Sequence, residues 1–302
     1  MSRKLEFVVS GSGIRLDIYV VERCPQLSRS RIQRMIKEGY ITVNGRSVKE
    51  SLNLKEGDRV QAIIPPSDSP LPEPEDIPLH IVYEDSDLLV VDKPAGMTVH
   101  PAPGHSHHTL VNAVLAHCPG LASDESVRPG IVHRLDKNTS GLMVVVKHED
   151  ARQYIMNQFK SRTVLKRYIA LVEGHLSPEE GIIEAPIGRE PRSRKRMSIV
   201  EDGREARTAY RVLKYIDGHT LLELTLQTGR THQIRVHLSA IGYPVVGDDV
   251  YGRKSPTSSL LSRQFLHACR LGFKLPSSGG WVEFHSDLPK DLDEALERIS
   301  LL

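Results

Sequence analysis

The stretch GIVHRLDKNTSGL, residues 130–142, is the most informative part of this chain. It places one carboxylate, Asp136, in a polar and turn-prone run, and the residues that follow, 142–146, are entirely apolar. Nearby positive charge favours the ionised form of a carboxyl group, and three basic side chains are close in sequence, His133, Arg134 and Lys137. Nucleophilic or base chemistry needs such a carboxylate. The simpler interpretation is a salt-bridged loop before a buried strand.

Length, composition and cysteine usage limit the class of protein. A chain of 302 residues is long enough for two domains, and 39% hydrophobic residues argue against wholesale disorder. No run approaches the roughly 18 apolar residues of a membrane span, and the N-terminus has no apolar signal core. The three cysteines lie far apart without a CxxC pair, which argues against disulfides or zinc and predicts a cytoplasmic protein.

Charge and proline content divide the chain. Residues 1–64 contain 12 Lys and Arg against 7 Asp and Glu, whereas residues 65–79 contain four acids and no base. The segment 65–78 includes six prolines, which predicts an extended linker. We therefore expect a basic module over 1–64, a linker over 65–78 and a main domain over 79–302. Such a basic module suggests an anionic partner.

The basic module has the pattern of a small α/β unit. Ser28 or Ser30 can cap a helix that Gly39 ends. At roughly 100° per residue, its apolar side chains Ile32, Met35 and Ile36 share one face, opposite Arg31, Arg34 and Lys37. Residues 41–48, ITVNGRSV, predict a hairpin with a tight turn at Asn44-Gly45, and another strand follows over 60–64.

The main domain alternates short strands with a few helices. Strands are predicted over residues 80–83, 88–92, 141–147, 166–173, 206–214 and 219–227. Helices are predicted over residues 109–117, 150–160, 231–241 and 291–299. This pattern predicts the α+β class, with a mixed and mostly antiparallel sheet after the small α/β module. The main domain contains no GxGxxG, P-loop or HExxH motif, so nucleotide cofactors and zinc-protease chemistry gain no support.

The run His-Arg-Leu-Asp followed by Thr-Ser-Gly-Leu closely resembles the catalytic motif of the RluA/RluD family of RNA pseudouridine synthases. Three further segments match that family in the same order. These are KPAGMTVHP at 93–101, LKRYIALV at 165–172 and QTGRTHQIR at 227–235. The resemblance covers the chain from about Arg15 to Pro289 and implies a pseudouridine synthase catalytic domain.

The N-terminal module resembles an S4 RNA-binding domain. Its matching segments include Leu16-Asp17, residues 28–33 and 36–39, Val43-Asn44-Gly45 and Gly57-Asp58. The resemblance implies that basic side chains contact RNA phosphates, which supplies affinity and position rather than sequence choice. The residues in question are Arg29, Arg31, Arg34 and Lys37. A solvated basic helix face is the plainer alternative.

The resemblance also assigns roles within the main domain. It implies Asp136 as the catalytic carboxylate, with Arg230 paired to it and orienting it. It places Tyr168 in the site, stacking on the flipped uracil, while a proton-transfer role for its phenol is weaker because its ordinary pKa is about 10. Strand alternation puts Tyr168 on one face with Lys166 and Ala170. Tyr168 could equally be a core ring.

The residues of segment 227–235 predict a strand-to-helix turn. Its glycine is expected at a strand-to-helix turn, with Thr231 as the helix N-cap. Arg230 would then point out of the sheet end, and Arg235 would lie free on another helix face. A helix start with basic surface residues is the alternative.

RNA contacts outside the catalytic trio are expected at several basic positions. The resemblance implies that Arg134 contacts RNA where the target base leaves the stack. Flipping that base out of a duplex costs a few kcal/mol. A basic arm over residues 189–196 is expected to contact RNA through Arg192, Arg194, Lys195 and Arg196. Glu205 stands where the family often has an uncharged residue. The turn 93–97 either lines the RNA cleft or is a plain sheet-edge loop, and the tract 105–108 is not expected to bind metal.

The function implied is isomerisation of specific uridines to pseudouridine, most like the branch that modifies large-subunit (23S) ribosomal RNA. No cofactor is expected, because isomerisation needs neither a redox partner nor an energy source. The expected partner is structured RNA, either free or in an assembling large subunit. The chain is expected to be a monomer with no membrane association. Whether Asp136 bonds to the sugar or assists its deprotonation stays open.

Three alternatives remain at this level. One is the same chemistry on transfer RNA. Another is a non-catalytic RNA-binding factor in ribosome assembly. A third is a hydrolase of small glycosides, which requires a second carboxylate near Asp136; the candidates are Glu184, Glu205, Asp248 and Asp249.

Overall fold

The computed structural model describes residues 3–24, 27, 29–64, 72–101, 107–123, 128–190, 193–253 and 260–301. The chain divides into two compact units, Met1–Leu71 with Glu125–Val127, and Pro72–Asp124 with Arg128–Leu302. Half of the predicted linker, residues 65–71, and the candidate helix cap Ser28 lie outside the described residues. The domain limits predicted from the sequence stay a prediction.

The first unit combines two helices with a three-stranded antiparallel sheet. Its elements are β1 (Arg3–Val8), α1 (Leu16–Arg23), α2 (Arg29–Lys37), β2 (Ile41–Val43) and β3 (Arg59–Ile64), with strand order β1-β3-β2. Helix α2 corresponds to the predicted helix. Its apolar face is buried, since Ile32, Met35 and Ile36 are each at most 2% exposed. These side chains form the core of the unit with α1 and the sheet.

The hairpin predicted over residues 41–48 is wrong in its second strand. The turn at Asn44-Gly45 forms, with positive φ values of 52° and 75°, but only an isolated bridge joins Val43 to Arg46. Strand β2 pairs instead with β3. The Asn44 side chain explains this pairing, because it contacts Asp58 at 2.8 Å and the Arg59 amide at 2.9 Å and so ties the turn to β3.

A nine-stranded sheet dominates the second unit. Its strands are β4 (Ile81–Glu84), β5 (Leu88–Lys93), β6 (Ser140–Val146), β7 (Leu165–Glu173), β8 (Glu180–Glu184), β11 (Arg207–Ile216), β12 (His219–Leu226), β13 (Leu266–Lys274) and β14 (Trp281–His285). The order is β4-β5-β6-β13-β7-β12-β11-β8, with β14 beside β13. Among the described pairings, only β6 with β13 is parallel. The fold is therefore α+β with a mostly antiparallel sheet, as predicted.

Four helices and a separate hairpin complete the second unit. The helices are α3 (Leu110–His117), α4 (Glu149–Lys160), α5 (Gln233–Ala240) and α6 (Lys290–Ile299), and the hairpin is β9 (Ile187–Glu190) with β10 (Ser193–Ile199). Every strand and helix predicted for this domain is present, with ends displaced by at most two residues. The sequence analysis missed β8, β9, β10, β13 and β14. Strand β13 alternates poorly, because Arg270 and Gly272 interrupt its apolar pattern.

The described end of the predicted linker is attached to α3. The Asn112 side chain donates to the Glu73 carbonyl at 2.7 Å, and the Glu75 amide donates to the Asn112 carbonyl at 3.0 Å. The Glu75 carboxylate also lies 2.7 Å from His108. Residues 72–78 therefore have no helix or strand, yet side-chain contacts hold them to the second unit.

Two buried contacts fix the segment between β5 and β6 that carries Asp136. Lys93 is 1% exposed, and its ammonium donates to the carbonyls of Pro94, Met97 and Lys137 at 2.7, 3.0 and 3.2 Å. The Lys93 side chain therefore stabilises the turn 93–97 from inside the protein. It does not line an RNA cleft. Gly141, with a φ of 116°, runs against the backbone of Ala268 on β13.

We expect the close approach at Gly141 to dominate the cost of placing a side chain there. In Gly141→Ala the new Cβ would collide with the Ala268 backbone in a left-handed conformation, so the free energy of unfolding should fall by about 3 kcal/mol or more. Gly218→Ala is the matched control, because Gly218 also has a positive φ but no atom within 4 Å. Its expected loss is about 1 kcal/mol. Equal losses in urea unfolding would show that packing against β13 is unimportant.

Candidate active site

The loop that carries Asp136 is held by buried groups on either side. The Val144 amide donates to His133 Nε2 at 3.0 Å, and the His133 ring lies 4.9 Å from the Phe159 ring. The Thr139 amide donates to the Asp136 carbonyl at 3.1 Å and closes the turn. The Asp136 side chain remains 17% exposed and faces a pocket.

His133 does not supply positive charge to Asp136, contrary to the sequence-based expectation. Its Nε2 accepts a hydrogen bond, so the ring proton is on Nδ1. Burial, followed by the charge of Lys166, lowers the pKa of His133 to about 3. The ring is therefore neutral at physiological pH and acts as an anchor on β6.

A buried arginine, Arg235 on α5, holds the carboxylate. Its Nη1 lies 3.2 Å from Asp136 Oδ2, while Nε and Nη2 donate to Asp248 at 2.6 and 2.8 Å. The side chain is 5% exposed. Burial by itself would lower the pKa of Arg235, but the hydrogen bonds and negative charges of Asp248 and Asp136 outweigh it and raise that pKa. Arg235 is a permanent cation between two aspartates.

The predicted pairing of Arg230 with Asp136 is wrong in this structure, and Arg235 is not free. Arg230 lines the same pocket, but its Nε donates to the Glu205 carbonyl at 2.9 Å. The physical reason is the start of the helix: α5 begins at Gln233, so Arg235 lies in its first turn and reaches the buried Asp248. A catalytic role for Arg230 stays a prediction.

The turn before α5 is built around one amide side chain. Gln233 Oε1 accepts from the Thr228 hydroxyl at 2.8 Å and from the Arg230 amide at 3.0 Å. Its Nε2 donates to the Arg207 carbonyl and the Thr208 hydroxyl. The N-cap residue is His232, with a left-handed φ of 56°, so the predicted cap at Thr231 is wrong. Gln233 holds the turn before the helix, and the helix start has no side-chain capping hydrogen bond.

Tyr168 forms one wall of the pocket. It is 7% exposed and lies on the same face of β7 as the buried Lys166 and Ala170, as strand alternation predicted. Burial, followed by the charge of Asp136, raises the pKa of its phenol. At neutral pH the phenol therefore keeps its proton and is a poor base, while the ring face is suited to stacking.

His232 and Tyr251 complete the surroundings of Asp136. His232 Nε2 lies 3.9 Å from Asp136 Oδ2, and its Nδ1 lies 2.9 Å from the Tyr251 hydroxyl. That hydroxyl also accepts from the Met197 amide on β10 at 2.9 Å. Burial lowers the pKa of His232, although the charge of Asp136 opposes the shift.

The sequence analysis missed four residues of this network. Arg235, His232 and Tyr251 were not proposed as site residues, and Asp248 was considered only as a rival carboxylate. Asp248 is fully occupied, since it binds Arg235 twice and accepts from the amides of Val250 and Tyr251 at 2.9 and 3.0 Å. The polar run GDDVYG at 247–252, directly after two valines, was an available signal.

In the S4-like unit, the proposed RNA-contacting side chains Arg29 and Arg34 lie beside carboxylates of the same unit. Arg29 donates to Asp17 at 3.0 and 2.8 Å, and Asp17 also accepts from Arg15 and Gln33. Burial alone would raise the pKa of Asp17, but these hydrogen bonds lower it. Arg34 lies 3.9 Å from Glu38. RNA contact by Arg29, Arg31, Arg34 and Lys37 stays a prediction.

The basic arm is largely beyond what the structure describes. Arg192 lies outside the described residues, as do the side chains of Arg194 and Lys195. Arg196 is described: it lies 3.6 Å from Glu190 and over the Tyr251 ring, 5.3 Å from its centroid. Arg134 is exposed and lines the pocket with Asp136. RNA contact by the arm stays a prediction.

Metal-ligand geometry occurs at one place in the described part of the chain, formed by Glu84, His117 and Cys118. Glu84 is already bound by His117 at 2.9 Å and by Lys147 at 2.7 Å. Of the histidine tract, His107 and His108 contact Glu75, while residues 105 and 106 lie outside the described residues. Among the described helices, none is long and apolar enough to span a membrane.

The pocket brings together the aspartate and the tyrosine that the resemblance to RNA pseudouridine synthases implied as its site residues. The sequence profile of the RNA pseudouridylate synthase family matches residues 87–240, and that of the S4 domain matches residues 14–60. The chain therefore belongs to the RNA pseudouridylate synthase family and has an N-terminal S4 domain.

Relatives cover nearly the whole chain. An uncharacterised RNA pseudouridine synthase of Chloroflexus aurantiacus is 51% identical over 295 residues, covering 94% of this chain and 90% of the relative. Ribosomal large subunit pseudouridine synthase D of Nitrosomonas europaea is 44% identical, with 95% and 85% covered. The structure of human RNA pseudouridylate synthase domain containing 1 matches with a TM-score of 0.60 and 32% identity, over 73% of this chain and 89% of that one.

Because Arg235 is buried, its substitution should lower turnover and the free energy of unfolding more than substitution of Arg230. Arg235→Lys keeps the charge but loses the planar fork, so turnover should fall by about 100-fold and the free energy of unfolding by about 3 kcal/mol. Arg230→Lys is the matched control, because Arg230 has one hydrogen bond to a carbonyl, and its stability should change by less than about 0.5 kcal/mol. Denaturant unfolding and turnover at saturating RNA would measure both. A larger loss in Arg230→Lys would contradict this assignment.

The neutral His133 predicts a pH dependence of stability. The pKa of His133 is near 3 in the folded chain and near 6.5 when unfolded, so the unfolded state takes up the proton first as pH falls. The stabilisation is present above pH 6.5 and lost below it, by up to about 1.4 kcal/mol per pH unit. His133→Phe should therefore show a shallower loss of unfolding free energy from pH 6.5 to pH 4.5. Parallel curves for the two proteins would contradict a neutral His133.

Proposed function

We propose that this chain isomerises specific uridines to pseudouridine in large-subunit ribosomal RNA, with Asp136 as the reacting carboxylate. The observation that carries the proposal is the contact between Asp136 and Arg235 in a pocket whose wall is Tyr168. The relatives named ribosomal large subunit pseudouridine synthase D support the choice of substrate. The S4 domain supports docking on structured RNA.

The reaction needs one carboxylate and no second substrate. The N1–C1′ bond of the uridine breaks, the uracil turns, and a C5–C1′ bond forms; the proton of C5 leaves and N1 gains one. A carboxylate can take part by attacking C1′ or by removing a sugar proton, and both routes need the ionised Asp136 that Arg235 orients. The two routes share this geometry.

The other residues of the pocket would bind and orient the nucleotide. The apolar wall formed by Tyr168, Leu226 and Leu266 suits a flipped uracil, because aromatic faces stack on bases. The exposed Arg134 stands beside Asp136 at the mouth, where it would fill the space that the base vacates. Flipping the base costs a few kcal/mol in a duplex, and the contacts of Arg134 in the vacated space would offset part of this cost.

The hydrolase alternative loses support from the same geometry. Among the described residues that line this pocket, Asp136 is the one carboxylate. Asp248 is saturated by four hydrogen bonds, and Glu205 is bound to Arg162 at 2.9 Å. No second carboxylate in the described pocket lining is placed to activate a water, as glycoside hydrolysis requires.

Mapping of pseudouridine in cells tests the proposed function. We compare ribosomal RNA from cells with the wild-type chain, with a deletion, and with Asp136→Asn as the sole copy. Discrete large-subunit sites should vanish in the deletion and in Asp136→Asn, because the amide can neither attack nor remove a proton. Turnover of the purified variant should fall by at least about 1000-fold.

The remaining alternatives give different results in that experiment. Sites lost from transfer RNA, with ribosomal RNA unchanged, would reassign the substrate and keep the chemistry. If no RNA changes, yet the deletion alone slows assembly of the large subunit, the non-catalytic assembly factor becomes the better account.

A further inference from the structure

Lys166 is a buried cation that the proposed chemistry does not use. It is 9% exposed on β7, and its ammonium lies 5.6 Å from the centroid of the Phe159 ring. Within the described part of the chain, neither a carboxylate nor a carbonyl hydrogen-bonds to it. Burial, followed by the charges of Arg162 and Arg230, lowers the pKa of Lys166 to about 8. An anionic ligand at the ammonium would stabilise its charged form.

The two arginines whose charges act on Lys166, Arg162 and Arg230, are both held by Glu205. The Glu205 carboxylate binds Arg162 in a bidentate pair at 3.0 and 2.9 Å. The Glu205 carbonyl accepts from Arg230 Nε at 2.9 Å. Glu205, which stands where the family often has an uncharged residue, therefore positions two basic side chains. Its carboxylate binds Arg162 and its carbonyl binds Arg230, so neither Arg230 nor Lys166 is paired with this carboxylate.

Other charges nearby do not cancel this excess. The next carboxylate along the sheet, Glu184, lies 3.9 Å from Arg207 and so has its own cation. Arg162 is held in a left-handed conformation with a φ of 60°, which places its side chain at the end of α4 beside β7. The cluster keeps a surplus of about two positive charges.

The cluster is next to the pocket. Arg230 belongs both to the cluster and to the pocket lining, together with Tyr168 and Asp136. Lys166 and Tyr168 project from the same face of β7 and are roughly 6.7 Å apart along the strand. A nucleotide with its base against Tyr168 would therefore carry its backbone past Lys166 and Arg230.

We propose that Arg162, Lys166 and Arg230 bind one backbone phosphate next to the nucleotide whose base enters the pocket. Glu205 is the residue that positions the two arginines. All three cations donate hydrogen bonds and none accepts, which suits a phosphodiester with its two unshared oxygens. This inference rests on the proposed function in one respect, the RNA substrate.

Salt-dependent RNA binding tests the proposal. Lys166→Met keeps the packing on Phe159 and removes the charge. We measure its Kd for a transcript of large-subunit ribosomal RNA between roughly 50 and 200 mM salt, a range over which binding through phosphate contacts weakens strongly. Loss of one phosphate contact should weaken binding about tenfold and reduce the salt slope by about 1.

Two further variants separate binding from packing. Lys166→Arg restores a cation and should recover most of the affinity and the slope. Lys290→Met, at an exposed lysine on α6 whose side chain is 89% exposed, is the control and should behave as wild type. An unchanged slope in Lys166→Met would overturn the proposal. So would a lowered melting temperature that Lys166→Arg does not rescue, because Lys166 would then serve packing against Phe159.

The outcome is distinguishable from failure of the proposed function. If the wild-type chain modifies only transfer RNA, the same binding series is run on a transfer RNA transcript, and the slopes decide as before. If wild type modifies large-subunit RNA and Lys166→Met keeps the wild-type slope, the phosphate site fails while the proposed function stands.

Discussion

The contact of Arg235 with two aspartates is the constraint on which the rest of the active site depends. A buried guanidinium must be matched by acceptors, and Asp248 takes two of its donors at 2.6 and 2.8 Å. Nη1 donates to Asp136 at 3.2 Å, and Nη2 also lies 3.5 Å from the exposed Asp249. Because Asp248 balances most of the charge of Arg235, Asp136 does not have to be buried to bind it. The Asp136 carboxylate therefore still faces the pocket. Three distant segments, the loop after β5, the start of α5 and residues 248–251, are brought together by this single side chain.

The site separates chemistry from RNA attachment by burial. Around Asp136 the groups are enclosed and mostly saturated, as shown by the Gln233 amide and the Asp248 carboxylate, so their geometry does not depend on solvent. Around Lys166 and Arg230 positive charge is in excess, and Arg230 also lines the pocket. Enclosed contacts resist screening by salt, whereas contacts to a polyanion release counterions and depend on salt strongly. The two kinds of residue should therefore respond differently to ionic strength.

Much of the fold could be predicted because its signals are local. The apolar run 142–146 became the centre of β6, and the face of Ile32, Met35 and Ile36 became the core of the first unit. Strand β13 was not predicted, because Arg270 and Gly272 break its pattern and two of its partners, β6 and β7, are more than ninety residues away. Pairing of that kind is decided by the sheet and leaves little trace in one strand's sequence.

The sequence by itself determined that this chain carries an aspartate in a basic, turn-prone loop, a strand tyrosine, and a basic segment before a helix, and with these its family. Only the tertiary structure decided which basic residue binds the aspartate. Arg230 and Arg235 are both close to the helix start, and nothing local distinguishes them. The left-handed His232 sets where α5 begins, and the buried Asp248, distant in sequence, supplies the charge that draws Arg235 inward. Partners of buried charges are chosen by the whole fold, since desolvation must be repaid wherever the acceptors lie.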